Sequence, residues 1–155
     1  MTITDILTPE RVIPELTATT KDAVLDELAN LLVGQIPQAT PARLVAVLRE
    51  RERLNSTAIG DGIAIPHGRL SGTKSVVAGF ARSTAGVDFD SVDRQPTHLF
   101  FVLIAPDDAA AMHLKALARI SRLLRDQAVC AKLRGTDRAE ALYALLTDRT
   151  ASHAA

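Results

Sequence analysis

Apolar positions recur along this chain with two different periods, and the alternation between them sets out the fold. From Thr20 to Leu32, Val24, Leu25, Leu28, Leu31 and Leu32 fall on one face at helical spacing. Thr19 or Thr20 stands at the N-cap and Gly34 ends the run. A second helix begins at Thr40-Pro41, an N-cap followed by proline at the first helical position, and continues to Arg51. Three strands follow, at Ile59–Ile65, Ser75–Arg82 and His98–Ala105. The last is almost continuously apolar between Pro96 and Pro106, the signature of a central strand covered on both faces. A long helix is expected from Ala109 to Arg125 with Asp107 or Asp108 as cap. Two shorter ones follow over 127–134 and 137–147, with Gly135 between them and Thr136 as the second cap. Before the first helix, the sequence reads as a short turn and an extended piece from Arg11 to Leu16.

Helices that precede, follow and flank a few strands predict an α/β protein. The expected architecture is a three-layer α/β/α sandwich with a small mixed sheet of about five strands. Residues 1–148 read as one domain without repeat or linker, and 149–155 as a flexible tail.

Composition narrows the function. Aromatics make up 3% of the chain, so there are few platforms on which bases could stack. The formal net charge is zero, so no basic field favours nucleic acid. No apolar stretch approaches the roughly 20 residues of a membrane span. The N-terminus, Met1-Thr2-Ile3-Thr4-Asp5, has no basic segment followed by an apolar run, so no signal peptide is expected and a reducing cytoplasm is the default location. The lone Cys130 excludes an intramolecular disulfide and reads as a small buried hydrophobe.

Candidate chemistry gathers around histidines. In Gly60-Asp61-Gly62-Ile63-Ala64-Ile65-Pro66-His67-Gly68 a short apolar strand stops at a proline and passes a histidine into a glycine turn. Gly68 permits positive φ and leaves space beside the ring. The residues alone support two readings of His67, a reactive imidazole on a rigid element or a histidine that caps a turn. His113 shares a face with Leu117, Ile120 and Leu124, which favours a core role. It also stands near a helix N-terminus, where an anion is favoured and a bound proton is not. His98 opens the central strand and reads as a hydrogen-bonded structural residue; His153 lies in the tail. Of the arginines around the second helix, Arg51 continues the inward face of Leu44, Val47 and Leu48, either as a snorkelling side chain or as a fixed guanidinium beside an oxyanion. There is no P-loop, no GxGxxG, no HExxH and no serine elbow, and no spacing supports a metal site on His67, His98 and His113.

The segment from Arg51 through Asn55-Ser56-Thr57 to Pro66-His67-Gly68 closely resembles the phosphoacceptor region of IIA components of the bacterial phosphoenolpyruvate-dependent phosphotransferase system. The similarity is to the fructose/mannitol class and particularly to its nitrogen-regulatory member. It continues through Pro96–Pro106, Met112-His113-Leu114-Lys115-Ala116-Leu117 and the terminal helices, nearly the whole chain. The resemblance implies that His67 is phosphorylated through Nε2 and that His113 and Arg51 contact the phosphoryl group, with Ser56, Thr57 and Gly68 as further phosphate-binding positions. It implies a histidine phosphocarrier protein as donor and a regulatory target or a IIB protein downstream. No cofactor is expected. Without a membrane segment or IIB domain in the sequence, regulation is favoured over a dedicated sugar relay; a relay for a fructose/mannitol-type transporter and a purely protein-binding module are the alternatives. Ile63, Ile65 and Leu114 are the expected apolar collar for docking.

Overall fold

The computed structural model describes residues 1–148; the tail expected over 149–155, with His153, lies outside the described residues. The chain begins with a short helix, α1 (Ile3–Ile6), whose Asp5 carboxylate accepts from the Thr2 amide. This replaces the expected turn. A 3₁₀ turn, Pro9–Arg11, leads into β1 (Val12–Ile13), the paired part of the expected extended piece. Helix α2 (Lys21–Leu32) is capped by the Thr20 side chain and passes into a 3₁₀ turn, Val33–Gln35, so Gly34 sits inside a tightened turn. Helix α3 (Pro41–Leu54) is capped by Thr40 and runs one turn further than expected, because Arg49 to Leu54 are all good helix formers.

Between α3 and the next long strand lies the largest departure from expectation. The single strand expected over Ile59–Ile65 is a hairpin of β2 (Ala58–Gly60) and β3 (Ile63–Ala64), paired antiparallel. Gly60, Asp61 and Gly62 all have positive φ, at 92°, 57° and 78°, so Gly-Asp-Gly is the turn itself. A further strand, β4 (His67–Leu70), follows at once, which places His67 at the start of a strand and not after the end of one.

Strand β5 (Val77–Val87) and strand β6 (Thr97–Pro106) form the antiparallel centre. The sheet has six strands where about five were expected, in the order β1-β5-β6-β3-β2, with β4 also on β6. β3 and β4 therefore share one strand position, both parallel to β6, interrupted at Ile65-Pro66. Pro66 has no N–H to give, but its carbonyl accepts from Leu103, so the interruption stays in register. His67 lies opposite Leu103.

Alternate residues of β6 enter two separate cores, as a period of two requires. Leu99, Phe101 and Leu103 pack with α1, with α4 (Ala110–Leu124) and with the two short helices α5 (Gln127–Arg134) and α6 (Ala139–Thr147). Phe100, Val102 and Ile104 pack with α2 and α3. The expected α/β/α layering is thus present. Two expected caps are not. Ala109, not Asp107 or Asp108, is the N-cap of α4 and makes no side-chain bond. Thr136 donates its hydroxyl back to Lys132 O, and α6 starts after Arg138. Asp126 caps α5. Among the described residues no helix is long and apolar enough to cross a membrane.

Candidate functional site

Pairing with β6 fixes where β4 sits, and strand alternation fixes its faces. Leu70 enters the α2/α3 core, and a Cβ built on Gly68 would run into the Val47 side chain of α3. His67 and Arg69 therefore face the α4 layer. Gly68 does not have positive φ; the residue is glycine because α3 packs directly on the strand. Gly68→Ala is expected to cost about 1–3 kcal/mol through overpacking, read as a lower denaturation midpoint. A midpoint equal to wild type would show that Val47 turns aside at no cost.

Opposite β4 stands the first full turn of α4. His113 lies there, 8% exposed, with its ring centroid 5.4 Å from that of His67 and the planes at 80°. His113 Nε2 is buried without a hydrogen-bond partner among the described residues, a cost that a polar ligand would relieve. The His67 ring is half-buried, and its Nδ1 lies 2.7 Å from Ile65 O. A carbonyl can only accept, so Nδ1 carries the proton and the lone pair of the neutral ring falls on Nε2.

Both imidazoles are held below the ordinary histidine range. For His67 the main cause is burial; the Arg51 charge adds to it, while the bond to Ile65 O and the Glu52 carboxylate oppose it. For His113 burial again comes first, followed by the charges of His67 and Arg69. Both rings are therefore neutral near pH 7. Arg51 leaves the end of α3 half-buried, and its Nη1 donates to Asn55 O at 3.0 Å and Asn55 Oδ1 at 3.2 Å. The His67 ring on β4 and a buried His113 nitrogen on α4, without a hydrogen-bond partner among the described residues, thus stand beside one another, with the Arg51 charge on α3 near enough to act on His67. The set suits an anion delivered to a neutral imidazole.

The structure uses the other candidate residues differently. Ser56 donates its hydroxyl to Phe89 O at 2.6 Å and accepts from the Ala58 amide. Thr57 is buried and gives its hydroxyl to Glu52. Both side chains hold the loop after α3. His98 Nδ1 bonds Ser83 O at 2.9 Å, a structural role as expected. Ile63 and Ile65 are buried and cannot form a collar, whereas Leu114 is 67% exposed and Met112 42%, on either side of His113. Cys130 is buried with its Sγ on Leu124 O.

Sequence reasoning passed over Glu52 and Arg69. Glu52 is buried in line with Leu44 and Leu48 on the inward stripe of α3, a spacing of four and eight that the sequence displays. Arg69 is two residues from His67 on the same strand face, a relation visible only once β4 is recognised as a strand.

Residues 5–149 match the family described as phosphoenolpyruvate-dependent sugar phosphotransferase system, EIIA 2. A protein named nitrogen regulatory protein from Bradyrhizobium diazoefficiens is 46% identical over 149 residues, covering 94% of this chain and 95% of its own length. The crystal structure of nitrogen regulatory protein IIA-Ntr from Neisseria meningitidis superposes with a TM-score of 0.88 at 31% identity, covering 94% of this chain and 99% of that one. The fold also matches the mannitol enzyme IIA of Escherichia coli, solved in complex with phosphorylated enzyme IIB, with a TM-score of 0.77 at 23% identity over 92% of this chain and 98% of that one.

Proposed function

Because the chain belongs to the EIIA type 2 family of the phosphoenolpyruvate-dependent sugar phosphotransferase system, we propose that it accepts a phosphoryl group on Nε2 of His67 from a phosphohistidine carrier protein and acts in nitrogen-type regulation by that system. The observation that carries this reading is the bond from His67 Nδ1 to Ile65 O, which leaves Nε2 as the basic, outward nitrogen opposite His113.

In the transfer, the Nε2 lone pair forms a bond to phosphorus as the bond from phosphorus to the donor's ring nitrogen breaks. The donor imidazole departs with that electron pair. No proton need leave His67, because its N–H is on Nδ1. The protein's task is in-line placement and neutralisation of three oxygens. Arg51 supplies a fixed positive charge, Arg69 a second one on the same strand face as His67, and His113 a buried Nε2, without a partner among the described residues, that donates to the incoming group when it carries the ring proton. Gly68 serves the group indirectly, by letting α3 pack directly on β4 behind His67, while Ser56 and Thr57 serve it through the loop that carries Asn55. Leu114 and Met112 form the apolar rim on which the carrier docks. The acquired charge, about −2, changes the surface offered to a downstream regulatory protein or a IIB protein. Residues 1–148 act as one domain, working in the cytoplasm without a cofactor.

The test is incubation with phosphoenolpyruvate, Enzyme I and the phosphocarrier, followed by ³¹P and ¹⁵N NMR of the modified chain. Phosphorus on Nε2 of His67 is expected; stable label on Nδ1 or on another residue overturns the assignment. His113→Ala should slow transfer about a hundredfold, the scale for one lost charge-stabilising donor, while His67 still becomes labelled. Acceptance should fall on acidification, because a protonated His67 has no lone pair. Since the ring is held below the ordinary value of about 6.5, the fall should begin below that pH. The same shift has a sign for stability. The unfolded chain takes up protons first, so stability is complete above about pH 6.5 and declines as pH falls through the lower folded values of His67 and His113. Transfer that accelerates below pH 6 would contradict a neutral nucleophile.

A further inference from the structure

A continuous line of polar contacts runs from α2 to the His67 ring. Lys21 Nζ pairs with Glu52 Oε2 at 3.0 Å, and the Glu52 side chain is 5% exposed. Glu52 accepts from the Thr57 amide at 3.1 and 3.2 Å and from the Thr57 hydroxyl. Thr57 O accepts from the Ile65 amide at 3.0 Å, and Ile65 O accepts from His67 Nδ1 at 2.7 Å. The same short loop holds Asn55, whose carbonyl and side chain receive Arg51. Lys21 is itself fixed, by Asp90 at 3.1 Å and by the Phe89 ring 5.0 Å away.

A buried carboxylate is retained at a cost unless it is paired and fully hydrogen-bonded. Here it is both, and its bonds converge on the loop that orients the two groups of the site. We infer that the Lys21–Glu52 pair is a positioning device for the transfer: through Thr57 and Ile65 it sets the His67 ring, and through the loop bearing Asn55 it sets the Arg51 guanidinium. The inference rests on His67 as acceptor. It adds two residues outside the phosphoryl-contacting set, one of them on a helix that contributes nothing else to the site. Neither touches the phosphoryl group. They act by reducing the orientations open to the groups that do, and misplacement by an ångström is enough to cost about a hundredfold in rate.

Lys21→Met leaves Glu52 buried without its cation, and Lys21→Arg restores one. Glu52→Gln keeps shape and one acceptor but removes the charge. Phosphoryl transfer from the carrier to Lys21→Met and Glu52→Gln should slow at least tenfold, and Lys21→Arg should recover most of that loss. A merely structural pair would not move the second readout, NMR titration of His67. The charged and titratable groups around that ring are Arg51 and Glu52 from α3, Arg69 beside it on β4 and His113 from α4. Of these, only the Glu52 carboxylate favours the protonated ring, so Glu52→Gln should titrate His67 at lower pH and weaken the bond from Nδ1 to Ile65. Circular dichroism restricts both readouts to folded protein. Wild-type rates in Lys21→Met, or equal impairment in Lys21→Met and Lys21→Arg, overturn the inference, as does an unmoved His67 titration in Glu52→Gln. The titration needs no phosphoryl donor. If the wild-type chain accepts no label, the functional reading fails, while the titration still decides whether Glu52 governs His67.

Discussion

His67→Ala is expected to abolish phosphoryl acceptance while leaving the fold in place. The ring is half-buried and sits at the start of β4, where the backbone pairing to Leu103 does not depend on the side chain. Its ring hydrogen bond to Ile65 O is worth about 1 kcal/mol, so the denaturation midpoint should move little. The chemical loss should be complete because His113 cannot substitute. Its Nε2 is buried, so it can meet an anion that enters the site but cannot present a nitrogen in line to a protein-sized donor. The measurement is acid-labile label after incubation with the carrier. Label on His67→Ala at a rate within tenfold of wild type would sink the assignment, and label moved to His113 would reverse the roles of the two rings.

The largest effect on stability is expected from Phe89→Ala. Phe89 is fully buried, edge-on to Phe100 with centroids 5.3 Å apart, and Lys21 lies over its ring. Removing it leaves a cavity beside Phe100 and Lys21, which costs about 3–5 kcal/mol. The denaturation midpoint should drop by that equivalent with an unchanged denaturant slope. The same variant should transfer phosphoryl more slowly even when folded, because Lys21 loses the ring beneath it and holds Glu52 less firmly. A loss of stability below about 1 kcal/mol would show that neighbouring side chains close the gap.

Much of this was legible in the sequence, and the exceptions have physical causes. The helices α2 and α3 with their threonine caps, and the central strand β6, follow from period and end signals that are local. β4 was missed because four residues, two of them His and Gly, carry no hydrophobic period; β6 makes them a strand by offering a row of hydrogen bonds. The Gly-Asp-Gly turn was misread because one apolar run hid two strands of opposite direction. At the site, position makes His67, His113 and Arg51 candidates with two readings each, and the family resemblance is what chooses between them. Glu52 could not be weighed without Lys21, thirty-one residues earlier in the chain, which neutralises it. Ion pairs between distant elements have no sequence period to reveal them.

The division of the interior by the sheet bears on when this site comes into being. Arg51 belongs to the layer on one side and His113 to the layer on the other, with His67 on the strand between them. A chain that has docked only one layer holds an imidazole with half its surroundings. Under the proposed role of His67, such a chain would therefore take up phosphoryl slowly, so that labelling would run ahead in copies whose two layers are both in place.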